Sequence, residues 1–356
     1  MEKKLPALKI GDFTVDPPII QGGMGVRVSR SNLAAAVANE GGVGVIAGVG
    51  LGKFEDLPGK EFVSVNDTAL REEIRKARGM MTRGVLGVNL MVALSNYEEL
   101  VRTAVEEGID VIISGAGLPL DLPKYTEGKN VALVPIVSSA RALKIIAGKW
   151  KRNFNRLPDA VVVEGAKAGG HIGFDPDEVI EGRTTPLEDL IKDVVEYANT
   201  FDPEIPVIAA GGVFDGKDIA KFIKLGASGV QMGTRFVCTD ECDVHQNFKQ
   251  AYIDAKEEDL IIIKSPVGMP GRVLKNKFVE AVLKGKTTPA ACNFRCLRSC
   301  DPKKAPYCIA KALANAAEGN LDEGFVFAGS NAYRCNEIVS VKHLMDELVA
   351  EAEENL

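Results

Sequence analysis

Eight short apolar runs recur along the chain, and a helical pattern of hydrophobic and polar positions follows each of the first seven. Runs that are apolar at nearly every position are typical of strands buried on both faces, as in a parallel sheet. Turn-forming residues separate the runs from the helical segments, which predicts repeated β–α units. The predicted strands are residues 18–23, 42–48, 85–92, 111–117, 133–138, 160–165, 206–212 and 229–236.

Eight β–α units predict an α/β fold of the TIM (β/α)8 barrel type. A doubly wound open sheet is the competing architecture, but the regular spacing and the lack of a Gly-x-Gly-x-x-Gly turn after the first strand disfavour it. We expect the barrel to occupy residues 1–256 and a small cysteine-containing lobe or lid to occupy 257–320. Residues 321–356 are expected to return to the barrel.

Polar residues predict where several helices begin. Ser29 and Asp215 each precede an amphipathic segment and are expected to cap it. Ser95 and Glu98 have the spacing of a capping box. The long interval between the second and third strands predicts an extra helix at 68–78.

Composition and charge narrow the function classes. The 356 residues are 46% hydrophobic, and the formal net charge is -6. An acidic chain without a broad basic field is not expected to bind nucleic acid as its main task. No apolar stretch approaches the roughly 18 residues that span a membrane, and the first residues lack a signal-peptide pattern. The sequence therefore predicts a cytoplasmic protein that binds neither nucleic acid nor membrane.

The carboxyl ends of four predicted strands are rich in glycine. In a TIM barrel these ends form the active face, and the seventh and eighth strands often bind phosphate through backbone amides. Gly211 and Gly212 end the seventh strand, whereas Gly233 and Thr234 end the eighth. A glycine by itself indicates only a tight turn, but two such endings on adjacent strands predict a phosphate site.

His171 is the candidate catalytic residue. It follows the sixth strand in the glycine-dense segment 164–173. A histidine near its ordinary pKa of about 6.5 can take or give a proton at neutral pH. A single histidine is more often structural, but this position on the active face favours catalysis. His245 and His343 are expected to lie on helices away from the site.

Six segments together carry a family resemblance. They are PIIQGGM (18–24), GVNLM (87–91), SGAG (114–117), EGAKAGGHIG (164–173), IAAGG (208–212) and GVQMGTRF (229–236). In these segments the chain resembles the nitronate monooxygenase (2-nitropropane dioxygenase) family and its relatives, the flavin-type enoyl-acyl-carrier-protein reductases.

The resemblance implies FMN bound without a covalent link across the barrel mouth. It assigns Gly22, Gly23 and Met24 to the ring system, and it assigns His171 to catalysis. The side chain of Gln231 either faces the cofactor or makes a hydrogen bond inside the barrel, and the sequence favours neither interpretation. The remaining residues assigned to cofactor binding are Asn89, Glu164, Gly170, Gly211, Gly212, Gly233 and Thr234.

The resemblance implies oxidation of alkyl nitronates with O2, with His171 orienting the anion or removing the α-proton of a neutral nitroalkane. The alternative is an enoyl thioester reductase that takes its reducing equivalents from NAD(P)H. Segments 21–24 and 168–173 favour the reductase, whereas Ser330, where relatives usually have glutamine, opposes it. The prediction is therefore an FMN-dependent oxidoreductase of the nitronate monooxygenase type, acting on a small molecule, with a homodimer as the default assembly. A barrel lyase or isomerase without flavin and a non-catalytic barrel remain as further alternatives.

Cys292, Cys296, Cys300 and Cys308 form a cluster that the resemblance does not explain. Helical spacing of the first three would place them on one face, which favours buried packing. The spacing fits neither zinc pairs nor ferredoxin motifs, although metal binding and redox chemistry of the thiols stay open. No metal ligand is assigned.

Overall fold

The computed structural model describes residues 4–54, 61–287, 292 and 294–356. Eight parallel strands form a closed barrel in the order β3, β4, β5, β6, β7, β8, β10, β11 and back to β3. The predicted TIM (β/α)8 barrel is thereby confirmed. The strands are β1 (Leu8–Ile10), β2 (Phe13–Val15), β3 (Ile19–Gln21), β4 (Val43–Ala47), β5 (Val85–Met91), β6 (Val111–Gly115), β7 (Ala132–Val137), β8 (Val161–Glu164), β9 (Gly170–His171), β10 (Val207–Ala210), β11 (Gly229–Met232), β12 (Leu260–Lys264) and β13 (Pro270–Leu274).

Helices surround the barrel and extend into the lobe. They are α1 (Ser31–Asn39), α2 (Glu61–Met80), α3 (Tyr97–Glu106), α4 (Leu122–Tyr125), α5 (Ala140–Phe154), α6 (Pro176–Ile180), α7 (Leu187–Ala198), α8 (Gly216–Lys224), α9 (Thr234–Val237), α10 (Gln246–Ile253), α11 (Lys277–Leu283), α12 (Ile309–Ala317) and α13 (Val341–Glu354). Two 3-10 turns, Glu257–Asp259 and Ala332–Arg334, complete the set for the described residues. None of the helices in the described part of the chain is long and apolar enough to cross a membrane.

An apolar layer inside the barrel stabilises it. The interior layer contains the inward side chains of the barrel strands, among them Val43, Val162 and Ile208. Leu8 and Ile10 of the antiparallel β1–β2 hairpin belong to the same interior cluster. Because they pack against the first residues of the strands, the hairpin closes the amino-terminal end and leaves the carboxyl-terminal end for ligands.

The lobe after the eighth barrel strand contains the β12–β13 hairpin, α11 and α12. Strand β13 also pairs antiparallel with β9, so that Gly271 lies opposite His171. The hairpin therefore joins the loop that follows β8. The domain division at residues 257 and 321 stays a prediction.

The predicted helix start at Asp215 was correct. Asp215 accepts a hydrogen bond from the backbone N–H of Asp218, 3.0 Å away, as expected. The prediction for Ser29 was wrong because Asp243 and Glu73, distant in sequence, accept the first N–H groups of α1. The hydroxyl of Ser29 instead accepts the N–H of Met24.

Two further expectations about elements differ from the structure. The capping box at Ser95 was wrong, because α3 begins at Tyr97 and the Ser95 N–H donates to the Cys296 carbonyl. The extra helix predicted at 68–78 is the longer α2.

Cys296 and Cys300 do not lie on a helix, so the expected helical stripe of cysteines was wrong. This segment is instead held by an isolated bridge between Leu94 and Leu297.

Candidate active site

A cavity of about 480 Å³ opens at the carboxyl ends of the barrel strands. Cavities of this size commonly hold small molecules and cofactors. The structure brings every residue predicted for the site to its wall: Gly22, Gly23, Met24, Asn89, Glu164, Gly170, His171, Gly211, Gly212, Gln231, Gly233 and Thr234.

The ending of β10 depends on glycine for backbone reasons. Gly211 and Gly212 have φ angles of +87° and +106°, which side chains rarely adopt. A Cβ atom on Gly211 would also lie 2.6 Å from the carbonyl oxygen of Gly165. Two loops therefore cross closely here and leave backbone groups, instead of side chains, at the cavity wall.

Residues 327–331 form a further part of the wall, which the sequence did not predict as a site segment. The Ser330 N–H donates to the Lys167 carbonyl at 3.1 Å, and Asn331 Nδ2 donates to the Gly212 carbonyl at 2.8 Å. A Cβ atom on Gly329 would lie 2.6 Å from Thr234 Oγ1. These contacts hold the segment against the endings of β8, β10 and β11.

His171 is held by the lobe. Its Nε2 lies 2.7 Å from Oγ of Ser265, which is 3% exposed. The Phe327 ring contacts the imidazole edge to face, with centroids 5.1 Å apart. Burial lowers the pKa of His171 from 6.5 to about 4, so the imidazole is neutral at pH 7.

The surroundings of Ser265 hold its hydroxyl beside Nε2 of His171, because Ser265 Oγ also accepts the N–H of Val267 at 3.3 Å. A hydroxyl has one proton and two lone pairs, so Ser265 can donate to Nε2 in one tautomer of the imidazole and accept from it in the other. Ser265 gave no signal in the sequence, because its role depends on a fold contact across 94 positions.

Glu164 ends β8 and lines the same cavity. Burial raises the pKa of its carboxyl from 4.5 to about 7. Near neutral pH the carboxyl therefore exists in both forms and can donate as well as accept a hydrogen bond.

Two polar atoms at the wall have no partner among the described residues. Gln231 Oε1 and Ser330 Oγ are buried and accept or donate no hydrogen bond there. Buried polar groups are normally paired, so unpaired ones at a cavity fit a polar ligand. For Gln231 this favours one of the two interpretations, namely that its side chain faces a ligand. The alternative was that it makes a hydrogen bond inside the barrel.

Part of the cavity wall is apolar, and the lobe contributes to it together with α2 and the loop after β5. Apolar walls favour the less polar portion of a ligand. Its lining includes Phe62, Leu94, Leu297, Ile309 and Leu313.

The other two histidines lie outside the cavity: His245 caps α10, and His343 is exposed on α13. Cys296 is at the cavity wall, and Cys308 packs in the same apolar cluster. Across residues 4–54, 61–287, 292 and 294–356, no group of three His, Cys, Asp or Glu residues is placed to hold a metal ion.

Comparisons with known proteins agree with this geometry. The model of a family described as nitronate monooxygenase matches residues 7–351. A probable nitronate monooxygenase of Staphylococcus aureus (strain Newman) is 30% identical, with 75% of this chain and 78% of the relative covered. Members of the family are oxidoreductases.

A second curated relative has a different named activity. It is the (3aS,4S,5R,7aS)-5-hydroxy-7a-methyl-1-oxo-octahydro-1H-indene-4-carboxyl-CoA dehydrogenase of Rhodococcus jostii (strain RHA1). It is 30% identical over 75% of this chain. The match covers 65% of that relative, so the chain spans less than two thirds of its length.

Among solved structures, FabK from Thermotoga maritima has a TM-score of 0.75 and 29% sequence identity. The similarity covers 96% of this chain and 94% of FabK. It includes the lobe as well as the barrel.

Proposed function

The chain belongs to the nitronate monooxygenase family, and from this membership and the cavity we propose that it is an FMN-dependent oxidoreductase that oxidises alkyl nitronates with O2. The observation that carries the proposal is the cavity itself, which joins glycine endings on β10 and β11 to unpaired polar atoms of Gln231 and Ser330. Such a wall suits a ligand with a phosphate at one end and a polar ring system at the other.

The residues divide between the two ends of the cofactor. The endings of β10 and β11 would hold the phosphate, with Thr234 adding a hydroxyl donor. When bound, FMN supplies electron transfer between the substrate and oxygen. The residues proposed for the phosphate are Gly211, Gly212, Gly233 and Thr234, and those for the rest of the cofactor are Gly22, Gly23, Met24, Asn89, Glu164, Gly170 and Gln231.

His171 favours a substrate that is already an anion. With a pKa of about 4 it is a weak base, poorly suited to remove the α-proton of a neutral nitroalkane. A neutral imidazole carries one ring N–H, and this group can donate a hydrogen bond to a nitronate oxygen. We therefore assign His171 an orienting role toward a nitronate.

Oxygen uptake by the FMN-loaded protein tests this function. We expect turnover with an alkyl nitronate and much slower turnover with the corresponding neutral nitroalkane. His171→Ala should lower nitronate turnover while FMN still binds, and His343→Ala on α13 is the matched control. Equal turnover of His171→Ala and the parent protein would remove His171 from the mechanism.

Reduction of an enoyl thioester by NAD(P)H is the second candidate. The similarity to FabK over 96% of the chain and the apolar part of the cavity wall favour it, because an acyl chain needs an apolar wall. An anaerobic titration of the FMN-loaded protein with NADPH and NADH separates the candidates. Rapid loss of the oxidised-flavin absorbance supports the reductase, whereas persistent absorbance with both nucleotides supports nitronate oxidation. A protein that takes up no FMN contradicts both.

A further inference from the structure

Lys167 is the one lysine or arginine among the described residues that line the active-site cavity. It lies in the loop that follows β8, shortly before His171, and it is exposed to solvent. Glu164 is the one carboxylate in the same described lining, and burial raises the pKa of its carboxyl to about 7. Near neutral pH the wall therefore carries one full positive charge and only part of a negative charge.

The methylene stem of Lys167 lies over the ending of β10. A Cβ atom on Gly212 would lie 3.0 Å from Cβ and 3.2 Å from Cδ of Lys167. Because Gly212 has no side chain, the stem can lie close to its backbone. The ammonium group is two bonds beyond Cδ, so it also lies near Gly212, at the end of the cavity proposed for the phosphate.

One hydrogen bond and one close approach place Ser330 at the same end. The Ser330 N–H donates to the Lys167 carbonyl at 3.1 Å, and a Cβ atom on the neighbouring Gly329 would lie 2.6 Å from Thr234 Oγ1. The hydroxyl oxygen of Ser330 is buried at the cavity wall without a hydrogen-bond partner among the described residues. A polar ligand can supply the partner that this hydroxyl lacks.

Glu188 is a carboxylate outside the cavity within electrostatic reach of Lys167. Its salt bridge with Lys221 and, after it, the charge of Lys167 lower the pKa of the Glu188 carboxyl. Within the described part of the chain, no hydrogen bond or salt bridge engages the ammonium group of Lys167. Its charge is therefore available to a ligand in the cavity.

We propose that Lys167 and the hydroxyl of Ser330 complete the site for the phosphate of FMN. This inference rests on the proposed function and adds two side chains to the glycine endings. Ser330 donates its hydroxyl proton to a phosphate oxygen, and Lys167 offsets part of the phosphate charge at the solvent-exposed rim. The site then distinguishes a flavin that carries a phosphate from one that does not.

Equilibrium binding of FMN and of riboflavin to the full-length, FMN-free protein tests Lys167. Lys167→Met keeps a stem of similar length and removes the charge. We expect it to raise the Kd for FMN about fivefold at low salt, the upper range for an exposed ion pair, and to leave the Kd for riboflavin unchanged. Lys167→Arg should restore most of the FMN affinity. Lys144→Met, at an exposed position of α5 outside the cavity lining, is the matched control.

Salt separates the charge of Lys167 from the packing of its stem. The Kd of the parent protein for FMN should rise with added salt more steeply than the Kd of Lys167→Met. The two proteins should converge near 1 M salt, where the Debye length falls to about 3 Å. A purely structural role of the stem would give the same salt dependence in both proteins.

Ser330→Ala tests the hydroxyl. We expect a Kd for FMN about tenfold higher, because a hydrogen bond to a charged group is lost, and an unchanged Kd for riboflavin. The FMN-free variant should be at least as resistant to denaturant as the parent, since the hydroxyl has no partner there among the described residues. Ser228→Ala, half-buried just before β11 at the opposite end of the barrel, is the matched control.

Lys167 does not hold the phosphate if Lys167→Met binds FMN as tightly as the parent, or weakens FMN and riboflavin equally. The same result for Ser330→Ala would remove its hydroxyl from the site. A parent protein that binds FMN no more tightly than riboflavin would overturn both assignments. A parent protein that takes up no flavin contradicts the proposed function and this inference with it, whereas normal FMN uptake with unaltered variants contradicts this inference alone.

Discussion

The hydroxyl of Ser265 is expected to control how His171 presents its proton. Ser265→Ala removes the 2.7 Å contact with Nε2 and frees the imidazole to exchange its tautomer. We expect a drop in kcat of about tenfold or more, with a smaller change in FMN affinity, since lost positioning commonly costs this much. Steady-state oxygen uptake with a nitronate measures it.

A conservative variant separates positioning from packing at this site. Ser265→Thr keeps the hydroxyl and should recover part of the lost kcat, whereas exposed Ser299→Ala should behave as the parent protein. If Ser265→Ala keeps the parent kcat, the contact does not position His171.

Glu164 gives a pH-dependent prediction at the scale of one residue. Its folded pKa of about 7 lies above 4.5, so the folded protein binds the proton more tightly, and stability falls as the pH rises through 4.5–7. In the FMN-free protein, Glu164→Gln should remove this loss and raise the free energy of unfolding at pH 8 by up to about 3 kcal/mol. At pH 4 the variant and the parent should be similar.

Denaturant unfolding at several pH values checks this, with exposed Glu337→Gln as the control. His171, whose pKa is lowered instead, contributes the opposite slope between about pH 4 and 6.5 in both proteins. Its contribution cancels in the comparison. If the free energy of unfolding depends on pH in the same way in Glu164→Gln and in the parent protein, burial does not raise the pKa of Glu164.

At the scale of elements, the β12–β13 hairpin supports the loop that carries His171. Arg272 Nη1 donates to the carbonyls of Ala166 and Ala168 at 2.8 Å and 2.6 Å. Arg272→Met leaves these acceptors unpaired, at a cost of about 1–3 kcal/mol each if they stay buried. We expect a lower Tm and weaker FMN binding. Lys264→Met, at an exposed position of the same hairpin, should change neither.

The sequence predicted the barrel strands well because most of their positions are apolar and several of them end in glycine. The predicted cap of α1 was wrong. The carboxylates of Asp243 and Glu73 accept the N–H groups at the start of this helix, so Ser29 does not cap it. The sequence also gave no sign of Ser265 or Arg272, which contact the β8 loop only because β13 pairs with β9. Local pattern thus predicts elements and strand endings, whereas the supports of the site depend on contacts between distant segments.

At the scale of the whole molecule, ligand binding should stabilise the fold through the barrel mouth, because segments 164–173, 211–212, 233–234 and 327–331 all meet there. FMN at about 100 times its Kd should add about 2.7 kcal/mol to the free energy of unfolding. Riboflavin, which lacks the phosphate, should add less at equal concentration. Thr234→Val should weaken FMN binding but leave riboflavin binding unchanged, while exposed Thr185→Val should alter neither. Thermal unfolding with each ligand measures the stabilisation that the ligand provides. If Thr234→Val lowers the stabilisation by FMN and by riboflavin equally, Thr234 does not contact the phosphate.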